Sequence, residues 1–304
     1  MISVVFPTFN EEGNVAKLHA RILEALKGVG EPWEIVAVDD GSRDGTMGVL
    51  KTLKPLRIVA FARNAGQTSA LDAGLKAAKG DTIVTLDADL QNDPNDIPRL
   101  VAKLKEGYDV VSGWRQSRND PEHRKYLSRA ANWLTGTMTG LYLHDSACAM
   151  KAYRASAVKG VDLYGEMHVF LPAILHWRGA RVAELVVEHH ERYAGVSKHF
   201  FMKAVRDIAD LVSLRFLARH LARPFLFFAN AGVGACFLSI ASMAAVFLPA
   251  PYRPFSPGTM WLTAVILAAL SVVLFMMGLL AEILIRVYYV GGRAPYIIRE
   301  VIEN

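Results

Sequence analysis

The sequence predicts an α/β protein, a mostly parallel, doubly wound sheet domain followed by a membrane-spanning helical hairpin. Two observations predict the sheet. Short apolar runs, each leading into polar residues, recur through the first 86 residues, and between them lie stretches whose apolar side chains fall at helical spacing. Strands that alternate with helices form parallel sheets with crossovers on both faces. A third observation predicts the hairpin. No charged side chain occurs from Phe225 to Leu248 or from Ser256 to Ala281, and each run exceeds the roughly 20 apolar residues that cross about 30 Å of hydrocarbon.

The elements follow in order. Met1 to Phe6 is an apolar run ending at Pro7, and Glu34 to Val38 is another, ending at Asp39 and Asp40. Both read as buried strands, because a strand covered on both faces shows no polar alternation. Between them, Val15, Leu18, Ile22, Leu23 and Leu26 have the spacing of an amphipathic helix over Asn14 to Lys27. A helical stretch near Thr46 to Leu53, a strand at Arg57 to Phe61, a helix from Gln67 to Ala78 and a strand from Thr82 to Leu86 extend the alternation. The sheet domain is expected over 1–199. Over 200–222, Phe200, Phe201, Ala204, Val205, Ile208 and Leu211 interleave with Lys203, Arg206, Arg215 and Arg219, the pattern of amphipathic helices lying in the headgroup plane. Residues 223–304 then hold two spanning helices, about 225–248 and 257–281, and a tail.

Pro249, Pro251 and Pro254 break the apolar stretch into a hairpin. Arg215, Arg219 and Arg223 precede it and Arg286, Arg293 and Arg299 follow, against Arg253 alone in the turn. That bias places both termini in the cytoplasm. Met1 leads directly into a strand-like run, so no cleavable signal is read there. The two cysteines, Cys148 in the sheet domain and Cys236 in a spanning helix, are expected to stay reduced. The net charge of +5 is concentrated toward the membrane, where anionic headgroups account for it without a nucleic-acid partner.

In open parallel sheets, ligands gather beyond the C-terminal strand ends. Here those ends present Pro7 to Glu11, then Asp39 to Ser42, then Arg63 and Asn64, then Asp87 to Asp89. All should open onto one crevice. The stretch DADLQNDP places Asp87, Asp89 and Asp93 within seven positions directly after an apolar strand. Burying unpaired carboxylates costs several kcal/mol, so such a cluster faces either open solvent or a bound cation. Asp93 stands apart: it precedes Pro94, and with a helix starting near Asp96 both acids serve as caps.

Taken together, PTFNEEGNV, AVDDGSRDGT, DADLQNDP, VSGWR, SRAANWLT, DSACAMKAYR and RYAGVSK occur in the order in which they stand in family 2 glycosyltransferases of the GT-A fold. Over residues 2–200 the chain resembles the polyprenyl-phosphate branch of that family, which includes dolichol-phosphate mannose synthase and bacterial undecaprenyl-phosphate transferases. The resemblance implies a nucleotide-sugar donor, with a UDP-hexose favoured over GDP-mannose, and a polyprenyl phosphate acceptor. It also implies a hard divalent cation, Mg2+ or Mn2+, with Asp89 as main ligand, Gln91 supplying an oxygen and Asp87 bound through water or holding the ribose. Pro7, Phe9, Glu11, Val38, Asp40 and Ala88 would complete the donor pocket. Arg115, Arg192 and Lys198 match positions that grip the donor diphosphate. Arg129 and Lys125 would meet the lipid phosphate.

Asp145 matches the aspartate placed near the anomeric carbon, where it would orient more than abstract, and Lys151 holds the basic position of the same loop. Asp89, Asp145, Arg192 and Lys198 are therefore the expected catalytic group. Two departures from the pattern stand out. Val169 occupies a position often held by arginine, with His168 beside it, and His199 replaces a usual tyrosine after Lys198. Two other functions stay open at this stage: a processive membrane polysaccharide synthase and a catalytically silent membrane scaffold. The first is opposed by Leu175 to Gly179, which does not supply the expected Q-x-x-R-W element. Self-association into a homo-oligomer also stays open.

Overall fold

A computed structural model describes residues 1–116, 132–163, 165, 167–190, 224–252, 255–291 and 298–303. The chain divides into two compact units, 1–214 with 294–304, and 215–293.

The first unit is built on eight strands: β1 (Ile2–Thr8), β2 (Trp33–Asp39), β3 (Arg57–Phe61), β4 (Thr82–Thr85), β5 (Val110–Trp114), β6 (Lys151–Arg154), β7 (Val182–Val186) and β8 (Ile298–Glu303). Their order across the sheet is β7-β5-β6-β4-β1-β2-β3-β8. β1 pairs in parallel with β2 and β4, β2 with β3, and β5 with β7, whereas β6 runs antiparallel between β4 and β5. The ends of β1 to β5 and β7 and the start of β6 therefore share one edge. Lys151, first in β6, lies opposite Thr85, last in β4.

Both faces are covered, as the uninterrupted apolar strands require. Val4, Phe6, Ile35 and Ile58 pack on one face with α1 (Val15–Leu26), α2 (Thr46–Leu50) and α4 (Ile97–Lys105). Val5, Val36, Val38 and Val59 point to the other, under α3 (Gln67–Ala77), while β5 and β6 meet α6 (Ala155–Val158) and α7 (Met167–Trp177) there. Alternate residues of one strand thus feed two cores. A further helix, α5, is described over 132–139. The expected elements of the first 86 residues recur in place.

The C-terminal residues differ from expectation. Read as a tail, they form β8, which pairs antiparallel with β3 from Arg57↔Glu303 to Ala60↔Glu300. Without it β3 would be an edge strand with a row of unpaired backbone groups. The chain thus returns to the sheet after the second unit.

That unit consists of α8 (Pro224–Ala245) and α9 (Pro257–Gly291) joined by a short proline-containing turn. Both helices are long and apolar enough to cross a membrane. They approach closely through small residues. A Cβ on Gly232 would lie 3.0 Å from the Phe275 ring, and the hydroxyls of Ser239, Ser242 and Ser271 donate to carbonyls of the facing helix at 2.7, 2.9 and 2.8 Å. The amphipathic stretch expected at 200–222 lies outside the described residues.

Candidate active site

The parallel strand ends open onto a cleft of about 270 Å3. The end of β1 and the loop after it contribute Pro7, Thr8, Phe9 and Glu11; Asp40 follows β2; Asn64 and Gly66 precede α3, and Gln67 and Ala70 lie in its first turn; the loop after β4 contributes Asp87, Ala88 and Asp89. Among these described lining residues four are acidic and none is basic.

The first two motif loops hold each other in place. The Asn10 N–H donates to the Ser42 hydroxyl at 2.9 Å, the Arg43 N–H to Asn10 Oδ1 at 2.8 Å, and the Gly45 N–H to Glu12 Oε2 at 3.0 Å. The Glu11 N–H reaches the Thr46 hydroxyl at 2.9 Å. Much of the polar chemistry in these motifs is therefore loop construction, and only Glu11 and Asp40 of their acids line the cleft. Gly41 makes the construction possible. Its φ is +69°, and a Cβ there would stand 2.6 Å from the Arg63 carbonyl carbon.

Asp40 accepts from the Asn64 side-chain amide at 2.8 Å and from the Ala65 and Gly66 N–H groups at 2.7 and 3.0 Å. This fixes the start of α3 against the end of β2. Burial pushes the Asp40 carboxyl above the ordinary carboxylate range despite these bonds, and burial does the same to Asp39. Asp87 accepts from Gln67 Nε2 at 2.9 Å, and Asp89, 6% exposed, accepts from the Gln91 N–H at 3.2 Å. The intervening turn places Leu90 at φ 63°. Oxygen-rich, acidic and without a described cation, the cleft has the donor set that a hard divalent ion takes.

Two expected donor residues stand elsewhere. Val38 is fully buried in the face under α3, where a Cβ on Gly74 would lie 3.0 Å from its Cγ2. It shapes the sheet below the cleft and does not line it. Arg115 lies at the end of β5, where its Nε and one terminal nitrogen donate to the two Asp145 oxygens at 2.6 and 2.9 Å. Burial opposes its charge, yet the Asp145 carboxylate outweighs burial and holds the guanidinium above its usual pKa. The arginine expected on the donor diphosphate is thus committed to the aspartate expected at the anomeric carbon, because neither charge could be buried alone.

The Asp145 loop is itself held. Glu184 of β7 accepts from the His144 N–H and Nδ1, both at 2.8 Å, and from the Asp145 N–H at 3.4 Å, while the His144 ring stacks on Trp114 at 4.1 Å. Glu184 lies within a strand and carries no local motif, so nothing in the sequence marks it. Asn64, Gly66 and Gln67 were legible only as neighbours of a strand exit. Cys148 is buried, and burial pushes its thiol up to about 11, leaving it an inert space-filler.

Asp93 caps the turn Pro94–Asp96, accepting from the Asn95 N–H at 3.0 Å, as the sequence implies. It also meets Arg21 at 2.8 Å and His190 Nε2 at 3.0 Å. Although burial raises its carboxyl, the bonds from His190 and Asn95 and the Arg21 charge leave it below the usual range. Asp93, Glu188 and His190 place ligand atoms within 4.8 Å of one another, but the Arg21 guanidinium already supplies the positive charge there. Arg192, Lys198, Arg129, Lys125 and His199 lie outside the described residues.

Residues 3–161 match the profile described as Glycosyl transferase family 2. Across its whole length the chain is 40% identical to dodecaprenyl-phosphate galacturonate synthase of Rhizobium johnstonii, of which it covers 93%. It is 33% identical to undecaprenyl-phosphate 4-deoxy-4-formamido-L-arabinose transferase of Aeromonas hydrophila, covering 100% of this chain and 94% of that one. Among solved structures, glucosyl-3-phosphoglycerate synthase of Mycobacterium tuberculosis, crystallised with Mn2+ and UDP-glucose, superposes with a TM-score of 0.56 at 20% identity, over 71% of this chain and 78% of that one. The sheet is thus of the GT-A type.

Proposed function

Because the chain belongs to glycosyl transferase family 2 and is a polyprenyl-phosphate glycosyltransferase, we propose that it moves a hexose-type sugar from a nucleotide-sugar, a UDP-sugar before a GDP-sugar, onto polyprenyl phosphate. The reading places the reaction at the cytoplasmic face of a bacterial inner membrane, with the helical hairpin as anchor. One observation carries it: four carboxylates and no described cation line the cleft at the parallel strand ends, a lining that a diphosphate enters only with a positive partner. Asp89 and Asp87 would hold a divalent cation, with Gln91 adjacent, and that ion would supply charge neutralisation for the donor diphosphate.

The chain's own residues do the rest. Pro7 and Phe9 offer the nucleoside an apolar surface, and Glu11 and Asp40 offer acceptors for its N–H and O–H groups. The acceptor needs no strong base, since a phosphate monoester is ionised at pH 7. Its oxygen attacks C1 of the sugar, the bond from C1 to the diphosphate oxygen breaks, and the electron pair leaves with the nucleoside diphosphate, inverting the anomeric centre. Asp145, clamped by Arg115 and Glu184, orients the reacting centre. Arg192 and Lys198 are assigned to the departing diphosphate, and Arg129 and Lys125 to the lipid phosphate.

Radiolabelled UDP- and GDP-sugars offered to the purified protein with undecaprenyl phosphate should yield an organic-extractable lipid-linked sugar. Absence of product with every donor, or full activity in Asp89→Asn, would overturn the reading.

A further inference from the structure

The cleft does not end at Asp87. A second cavity of about 120 Å3 shares Pro7, Gln67 and Asp87 with it and continues under residues 147–149 to the start of β6. That is several times the roughly 30 Å3 that a water claims in the liquid, room for part of a sugar and too little for a nucleoside.

Its wall includes Lys151, which is 3% exposed. The ammonium donates to the Ser146 carbonyl at 3.2 Å and to the Cys148 carbonyl. Both acceptors are neutral main-chain groups, and an ammonium carries three N–H donors. A buried cation normally lies against a carboxylate, since its desolvation is otherwise poorly offset. Here burial lowers the lysine below its ordinary pKa, while the nearby Asp145 and Asp87 charges work to restore it without a direct bond. Arg115 takes both oxygens of Asp145 in the neighbouring pair, so the Lys151 ammonium is bonded to carbonyls and to no carboxylate among the described residues. His168 adds a second polar group to the same wall, its Nδ1 within 2.6 Å of the Thr68 hydroxyl. Leu71, Leu86 and Val169 give the apolar side that the C–H face of a pyranose needs.

We propose that this cavity receives the sugar of the donor and that Lys151 makes it selective for a sugar bearing a carboxylate, a uronic acid. The inference rests on the sugar-transfer reading above and deepens it. Asp87, at the shared mouth, belongs to the diphosphate side of the boundary. The sugar carboxylate supplies the anionic partner that the Lys151 ammonium lacks, and a neutral hexose leaves that charge buried against carbonyls alone.

The test compares UDP-galacturonate and UDP-glucuronate with UDP-galactose and UDP-glucose as donors for the purified full-length protein with undecaprenyl phosphate. At least one uronate should exceed its neutral counterpart in kcat/KM by about tenfold or more. In Lys151→Met, uronate transfer should fall about a hundredfold further than neutral-hexose transfer, and Lys151→Arg should keep the preference. Calorimetric UDP binding by the variants reports that the nucleotide cleft is intact. A wild-type preference for the neutral sugar overturns the proposal whatever the variants do. So does an equal loss for all donors in Lys151→Met, which would make the lysine a diphosphate counter-charge; in both cases the transferase reading stands. Failure of every donor, GDP-mannose included, overturns both.

Discussion

Along one sheet edge the two halves of the molecule treat charge in opposite ways. On the β1–β4 half, Glu11, Asp40, Asp87 and Asp89 face a common cleft with no described cation among them. On the β5–β7 half, Arg115 and Asp145 close a bidentate pair and Glu184 satisfies the loop beside it. The first half gathers four carboxylates on one cleft, and in the second an acid and a base close on each other. Gathered acids give a cleft the donor set that a hard cation and its anionic ligand take, whereas a closed pair holds a loop's geometry while the ligand turns over.

The largest expected effect attacks the acidic half. Asp89→Asn should reduce transfer about a thousandfold with no change in the thermal unfolding midpoint; a loss below tenfold in the lipid-linked sugar assay would move the chemistry away from this cleft. The closed half should respond in stability. Arg115→Met strands Asp145 and should destabilise by about 3–5 kcal/mol, while Arg115→Met with Asp145→Leu should be milder than either alone, as a double-mutant cycle in denaturant would show. If the double variant is instead the worst, the pair does more than neutralise itself.

Gly41→Ala sharpens the boundary between the halves by disturbing only the first. A strained φ and a backbone clash should cost about 2 kcal/mol and weaken UDP binding in calorimetry, leaving the Arg115–Asp145 pair untouched. Asp93→Asn has the smallest effect, because asparagine keeps the cap and loses only the charge opposite Arg21 and His190; about 1 kcal/mol is expected at pH 7. The folded Asp93 carboxyl lies below its unfolded value, so its contribution is present above about pH 4 and is lost as pH falls through the folded pKa. The gap in melting temperature between wild type and variant should therefore close on acidification.

The legible features were local. Apolar runs such as Ile83 to Leu86 announced strands because a strand buried on both faces cannot tolerate polar alternation, and the acids after each run announced the cleft because parallel strands end on one edge. Asp93 as a cap was legible from Pro94. Features that depend on residues far apart in sequence were not. Glu184 meets Asp145 across 39 positions, and Val301 meets Val59 through a β8 that reads locally as tail. The partner of Arg115 was hidden for the same reason, since an arginine in VSGWR looks identical whether it holds a phosphate or an aspartate.

The sequence by itself determined the α/β alternation, the two membrane-length helices and the identity of the acids at the strand ends, because hydrophobic periodicity and turn chemistry act over a few residues. Tertiary structure alone decided that Arg115 is spent on Asp145, that Val38 lies beneath the cleft, that the chain returns to complete the sheet, and that a buried Lys151 overlooks a second cavity. The outcomes for Arg115 and Lys151 follow from desolvation, since once a charge leaves water its nearest partner in space governs its role. The places of Val38 and β8 follow from packing and strand pairing between residues far apart in sequence, and only the folded chain specifies either.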